Sequence, residues 1–281
     1  MRIKILNQWN ELEPYIEMLQ TKEVAHNLAI GLIKRNQESN EQDPLLFSAV
    51  FYERDEPVLL VLQSIKEQAI LAVLSKVAEV ELKESAGILA EQKITLPGIM
   101  GESPYADAFS LHYSELTKTK RTLHTAQRIY QLRNVRRPKD MTGQLRLSTE
   151  EDTEFLIKWA IQFGEDANVP LTEDEARERV ERFFSQQSMY IWENEGKPVS
   201  MAASSRPTQT NINISLVFTP ASERKKGYAS ACVASLSEKM LEAGYKTVSL
   251  YTDLANPTSN HIYQEIGYEM VVNSKLYYFQ S

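Results

Sequence analysis

The sequence predicts a mixed α+β and α/β protein, with a mostly antiparallel sheet flanked by helices and two such domains in tandem. Three observations carry this expectation. Two pairs of apolar runs, within 46–63 and 188–205, are each broken by a short polar turn and read as hairpins. Other stretches place apolar residues at helical spacing between capping residues. The order hairpin, strand, helix, strand occurs in both halves of a 281-residue chain, a length suited to about two ordinary domains.

In chain order, a short polar lead is followed by helical segments at Pro14–Leu19 and Val24–Ile33. In the second, Ala25, Leu28, Ala29 and Leu32 recur at helical spacing. Leu46–Glu53 and Pro57–Gln63 form the first hairpin around Arg54-Asp55-Glu56. Ala69–Leu74 is too short an apolar run to separate strand from helix. Lys76–Glu91 reads as helix, Pro97-Gly98 as a turn, and Pro104–Leu116 as helix. Arg121–Leu132 is extended in pattern, with helix as the alternative. The basic stretch Arg133–Gly143, carrying Pro138, marks the boundary between domains 1–140 and 141–281.

The second half opens with a strand at Gln144–Leu147. Ser148 with Glu151 reads as a capping box for a helix at Thr149–Phe163, and Thr172 with Glu175 as another for Glu173–Ser185. Ser188–Glu193 and Pro198–Ser205 form the second hairpin around Asn194-Glu195-Gly196. A strand at Thr210–Phe218, a helix at Tyr228–Ala243 ended by Gly244, and a strand at Thr247–Thr252 follow. Asn256 caps a short helix started by Pro257 and ended at Gly267, and Tyr268–Val272 and Leu276–Phe279 close the sheet.

Composition narrows the function classes. The net charge of −7 speaks against nucleic acid as a partner, because phosphate neutralisation needs a basic face. One cysteine cannot form an internal disulfide and suits a reducing compartment. The polar start after Met1-Arg2-Ile3-Lys4 lacks a signal-peptide core, and no apolar run has the length of a membrane span. The expected location is cytoplasmic, with no membrane partner. The four histidines, His26, His112, His124 and His261, have no metal-ligand spacing, so no metal is expected.

The stretch Ser215–Ala231, SLVFTPASERKKGYASA, carries the chemistry. An apolar strand ends at Pro220, passes through Arg224-Lys225-Lys226-Gly227, and delivers a helix N-terminus. The first N–H groups of a helix lack intrahelical acceptors, and its dipole favours an anion there. Gly227 lets backbone approach a ligand, and the three basic residues add donors suited to phosphate. The stretch reads as a pyrophosphate site.

The Arg-x-x-Gly-x-Ala pattern at Arg224–Ala229, after a Val-Phe-Thr-Pro strand end, resembles the acyl-CoA motif of the GNAT-type N-acetyltransferase superfamily. A later stretch, Asn256-Pro257-Thr258-Ser259-Asn260-His261-Ile262-Tyr263 followed by Gly267-Tyr268, resembles that family's second motif. The resemblance covers roughly the second half of the chain. It implies acetyl-CoA as co-substrate and transfer of an acetyl group to an amine. Its cofactor residues, carried over, are the strand end Leu216, Val217, Phe218 and Thr219; the turn and helix start Arg224, Lys225, Lys226, Gly227, Tyr228, Ala229 and Ser230; and Asn256 and Ser259. A backbone N–H of Val217 or Phe218 would stabilise charge on the carbonyl oxygen. The first half shows no Arg-x-x-Gly-x-Ala, so it reads as a degenerate copy of the same fold or another α+β domain, leaving one acyl-CoA site.

Tyr263 is the candidate general acid. A phenol with an ordinary pKa near 10 is protonated at neutral pH and can donate to a departing thiolate whose ordinary value is about 8.5. Glu165, Asp166, Asp253 or water are the candidates for the base. Cys232 falls on the apolar face of its helix and reads as a buried structural thiol. The expected activity is direct acetyl transfer from acetyl-CoA to a primary amine, with a small molecule favoured as acceptor, by a monomer or homodimer. The alternatives are a non-catalytic acyl-CoA sensor and a protein or peptide acetyltransferase.

Overall fold

The computed structural model of the chain describes residues 1–39, 42–139, 141–167 and 169–280. It divides into two compact units, Met1–Ile129 with Val271–Ser281, and Tyr130–Met270. The division differs from the expected 1–140 and 141–281. It falls before the basic stretch, and the last strand belongs to the first unit because it pairs there. Asp140, at the expected boundary, lies outside the described residues.

The first unit runs β1 (Arg2–Ile5), a 3-10 turn (Trp9–Tyr15), α1 (Ile16–Gln20), α2 (Asn27–Glu38), β2 (Phe47–Glu53), β3 (Glu56–Gln63), β4 (Ala69–Val73), α3 (Glu79–Glu91), β5 (Gly98–Glu102), α4 (Ser103–Thr117) and β6 (Lys120–Leu132). The second runs β7 (Gln144–Leu147), a 3-10 turn (Glu150–Asp152), α5 (Thr153–Asp166), α6 (Glu173–Ser185), β8 (Met189–Asn194), β9 (Lys197–Ser205), β10 (Asn211–Phe218), a 3-10 turn (Ala221–Glu223), α7 (Tyr228–Glu242), β11 (Thr247–Asp253) and α8 (Pro257–Ile266); β12 (Glu269–Gln280) follows.

In the first unit β1-β2-β3-β4 are successively antiparallel, β4 and β5 are parallel, and β12 is antiparallel to β5. In the second, β7-β8-β9-β10 are successively antiparallel and β10 and β11 are parallel. Each unit therefore has an antiparallel run ending in one parallel pair, and a parallel pair requires a crossover, here a helix. In the second unit two cores lie on opposite faces of the strands. One joins Ile212, Ile214, Val248 and Leu250 to Cys232, Val233 and Leu236 of α7 and Tyr263 and Ile266 of α8. The other joins Met201, Ala203, Leu216 and Phe218 to Leu156 and Ala160 of α5 and Ala176 and Val180 of α6. The first unit likewise has one core under α3 and α4 and one under α2.

Several sequence expectations are corrected. The Pro97-Gly98 turn is the start of β5. Its glycines serve close approach rather than turning: a Cβ at Gly98 would lie 2.6 Å from the Tyr278 ring, and one at Gly101 would lie 2.7 Å from the Leu71 carbonyl oxygen. The last two expected strands are the single strand β12. β1, too short and polar to signal itself, pairs with β2. The capping box before α5 is Thr149 with Asp152, not Ser148 with Glu151: the Asp152 carboxylate accepts the Thr149 N–H at 2.7 Å and is held by Arg146. The Thr172–Glu175 box stands as expected.

Candidate active site

The site is built on the point where β10 leaves β11. Their parallel ladder runs from Asn211↔Thr247 to Ile214↔Leu250 and ends there, although β10 continues to Phe218 and β11 to Asp253. On its other edge β10 stays with β9, but Ser215 opposes Ala203 and Phe218 opposes Met201. One extra residue is thus inserted, a β-bulge, with Leu216 at φ 52°. The bulge changes which side chains face which core. Ile212 and Ile214 point to α7, and strict alternation would send Leu216 there too. Instead Leu216 and Phe218 join the α5 core while Val217 packs on the α7 side. The strand end is fixed by Ser200, whose hydroxyl donates to the Phe218 carbonyl at 3.0 Å and lies 2.9 Å from the Thr219 hydroxyl.

Beyond Thr219 the chain makes the 3-10 turn and enters α7 through Gly227, the N-cap, at φ 82° and ψ 0°. This left-handed conformation is costly for residues with a Cβ. A Cβ built there meets nothing within 4 Å, so the space in front of the turn is open. The Gly227 carbonyl accepts the Ala231 N–H at 3.0 Å, the first intrahelical bond. The N–H groups of Tyr228, Ala229 and Ser230 precede that bond and so have no acceptor within the helix. Open space, a glycine cap and three such amides fit an anion of pyrophosphate type.

The basic residues of the turn are not equivalent. Lys226 donates to Glu223 at 2.9 Å, and Lys197 of β9 reaches the same buried carboxylate at 2.6 Å. Arg224 donates from Nε to the Thr219 carbonyl at 2.9 Å and from Nη2 to Asp166 at 2.5 Å, with its guanidinium 5.8 Å from the Phe218 ring centroid. Lys225, exposed and at φ 63°, forms no ion pair among the described residues. Asn194 of the β8–β9 hairpin donates to the Tyr228 hydroxyl at 3.1 Å. Lys197, Asn194 and Ser200 come from a neighbouring hairpin and carried no signal in the sequence.

On α8, Asn256 is the N-cap and its side-chain oxygen accepts the Ser259 N–H at 3.0 Å. Asn260 was not singled out, yet it fastens the helix: its amide donates to the carbonyls of Asp253 and Asn256 at 2.9 and 2.8 Å, and its oxygen accepts from the Tyr130 hydroxyl at 3.0 Å. Tyr263 is buried, with its ring 5.9 Å from that of Tyr268. Burial pushes its phenol up to about 12, the nearby Cys232 thiol adds to this, and the Ser259 hydroxyl opposes it. Burial likewise pushes the Cys232 thiol up to about 12, matching a structural thiol. Cys232 stands in the second turn of α7, so Tyr263 lies beside the helix whose first amides face the turn.

Of the base candidates, Asp166 is paired with Arg224, and the Asp253 carboxylate accepts the Ala255 N–H at 2.8 Å. Glu165 is exposed. Among the described residues no cluster of three or more His, Cys, Asp or Glu could hold a metal ion, and no helix is long and apolar enough to cross a membrane.

Comparison with known proteins bears on the fold and on part of the chain. Residues 153–268 match the family described as Acetyltransferase (GNAT) family. No curated protein matches the sequence. Among solved structures, an acetyltransferase of the GNAT family from Colwellia psychrerythraea aligns over 100% of both chains with a TM-score of 0.63 at 13% identity. A GCN5-related N-acetyltransferase from Sphaerobacter thermophilus aligns over 98% of this chain and 94% of its own, with a TM-score of 0.62 at 11% identity. A tandem GNAT protein from the clavulanic acid biosynthesis pathway aligns over 98% of this chain and 97% of its own, with a TM-score of 0.57 at 9% identity. These likenesses show that the whole chain has the tandem fold expected from its sequence. The family match covers residues 153–268, which lie within the second unit, and that stretch is similar to the GNAT acetyltransferases.

Proposed function

We propose that this chain transfers an acetyl group from acetyl-CoA to a primary amine by direct attack, with both substrates bound together and a small molecule as acceptor. One observation carries the reading. The β10–β11 ladder ends at Ile214↔Leu250, and β10 then leads through a 3-10 turn into the Gly227-capped start of α7. Strand backbone left without a partner on its β11 side and helix amides without intrahelical acceptors belong to one continuous stretch.

In this reading acetyl-CoA supplies the activated acyl group. The amides of Tyr228, Ala229 and Ser230 hold its pyrophosphate, with Lys225 and the other basic residues of the turn adding charge. The β10 edge at Leu216, Val217 and Phe218, with Thr219 beyond it, lines the pantetheine arm, and a Val217 or Phe218 N–H faces the carbonyl oxygen where negative charge develops. The Asn256 oxygen is engaged in its cap, so its amide NH2 is the part that serves the arm, with Ser259 beside it. Tyr263 keeps its proton at neutral pH and gives it to the departing sulfur, while the proton lost by the attacking nitrogen goes to a base or to water. The acyl-CoA site falls in the second unit, Tyr130–Met270, and the first unit is read as a degenerate copy of the same fold.

The test is acetyl-CoA-dependent thiol release by the purified protein across amines, peptides and aminoglycosides, beside calorimetric binding of acetyl-CoA. Release above background with a small amine is the expected result. Release only with peptides would reassign the acceptor, and binding without release from any acceptor would favour the sensor reading. Absence of binding would overturn the cofactor assignment.

A further inference from the structure

Arg224 is the first basic residue of the turn, and its guanidinium is engaged by Thr219, Asp166 and the Phe218 ring. α5 and α7 pack on opposite faces of the sheet, one against Leu216 and Phe218, the other against Ile212 and Ile214. The Arg224 guanidinium lies on the α5 side. It is 5.8 Å from the Phe218 ring centroid and 2.5 Å from the carboxylate of Asp166, the last residue of α5, and its Nε donates to the Thr219 carbonyl. An anion held by the Tyr228–Ser230 amides and an anion held at Asp166 call the guanidinium to different places.

We infer that Asp166 is a positioning residue that competes with the cofactor pyrophosphate for Arg224, so that Arg224 exchanges Asp166 for phosphate when acetyl-CoA binds. The inference rests on the cofactor reading given above. It also gives Asp166 a role other than proton acceptor. Both side chains are about half exposed, at 46% for Arg224 and 53% for Asp166, so the contact is solvent-screened and can open readily. The exchange would also loosen the Arg224 contacts with the Thr219 carbonyl and the Phe218 ring, but it involves neither Lys226 nor Gly227. Lys226 stays on Glu223, which Lys197 also holds, and Gly227 already has its helix-capping conformation. Because Asp166 ends α5, occupancy of the cofactor turn is transmitted to the end of that helix, where the Ala167 N–H donates to the Phe163 carbonyl at 2.9 Å.

The experiment is calorimetric titration of the full chain with acetyl-CoA for wild type, Asp166→Asn, Asp166→Glu and Glu165→Gln. Asp166→Asn weakens the competitor while keeping the side chain's shape. It is expected to tighten acetyl-CoA binding about 2- to 5-fold, the range open to a half-exposed ion pair. Asp166→Glu should return the affinity to near the wild-type value, because the carboxylate is restored. Glu165→Gln removes the same formal charge one residue away and is expected to leave the affinity within about 1.5-fold. Equal tightening by Glu165→Gln and Asp166→Asn would reduce the effect to general charge and overturn the inference. Unchanged or weaker binding in Asp166→Asn, with wild type binding normally, would overturn it as well. Wild type that binds no acetyl-CoA would instead remove the cofactor reading on which the inference stands.

Discussion

Replacing Gly227 with Asp separates what the turn does for the fold from what it does for a ligand. A Cβ at this position meets no atom within 4 Å, so packing does not oppose the first atom of a side chain there. Its folding cost is the left-handed backbone at φ 82°, roughly 1–2 kcal/mol for an ordinary residue and less for Asp, which visits that region more readily. A melting-temperature drop of roughly 2–6 °C is expected. The cost in binding is larger. A carboxylate about 4 Å from a phosphate charge is repelled by about 1 kcal/mol in water and by roughly 4 kcal/mol at the effective dielectric of a protein surface. Affinity for acetyl-CoA should therefore fall by about 5- to 10³-fold. Gly227→Ala carries the strain without the charge and should stay within about tenfold of wild type. Calorimetry of the three proteins beside their thermal melts makes the comparison. A folded Gly227→Asp protein that binds acetyl-CoA within threefold of wild type, on the order of 0.6 kcal/mol, would refute the pyrophosphate assignment.

Other perturbations test other parts of the account. Tyr263→Phe should lower kcat by about 10²-fold or more while leaving acetyl-CoA affinity unchanged, as steady-state kinetics and calorimetry together would show; unchanged turnover would release Tyr263 from the acid role. Because burial pushes the Tyr263 phenol up to about 12, the acid form persists as pH rises, so kcat should climb as the acceptor amine deprotonates and show no falling limb before about pH 10; a falling limb near pH 8 would point to a different acid. In the first unit, Asp107 accepts from Lys275 at 2.7 and 3.0 Å and from the Tyr277 hydroxyl at 2.6 Å, tying β12 to α4. Asp107→Ala should cost about 1–3 kcal/mol and speed amide exchange in β5, which β12 covers; exchange unchanged in β5 would mean that the strand needs no such tie.

What could be read from sequence follows the range of the physics involved. The second hairpin was legible because Asn194-Glu195-Gly196 is local turn chemistry, and in the structure Glu195 and Gly196 both have positive φ. The turn from β10 into α7 was legible because strand, glycine and helix start lie in one stretch. β5 was missed because Gly98 after Pro97 looks like a turn, whereas the glycines are demanded by Tyr278 and Leu71, distant in sequence. The bulge at Leu216 has no sequence signal, since leucine is not a residue that favours positive φ. For the same reason the partners of the basic turn were hidden. Asp166 and Lys197 are brought to Arg224 and Glu223 only by the sheet, so three successive basic residues that look alike in sequence have three different environments. Asn260 reads as an unremarkable helix residue until its contacts to Asp253, Asn256 and Tyr130 are seen.

The most direct test of the central claim is a titration of the isotope-labelled protein with acetyl-CoA, following backbone amide chemical shifts. Saturable shifts centred on Val217, Phe218, Tyr228, Ala229 and Ser230 are the predicted result. Saturable binding that leaves those five amides unmoved and shifts another part of the chain would contradict the account.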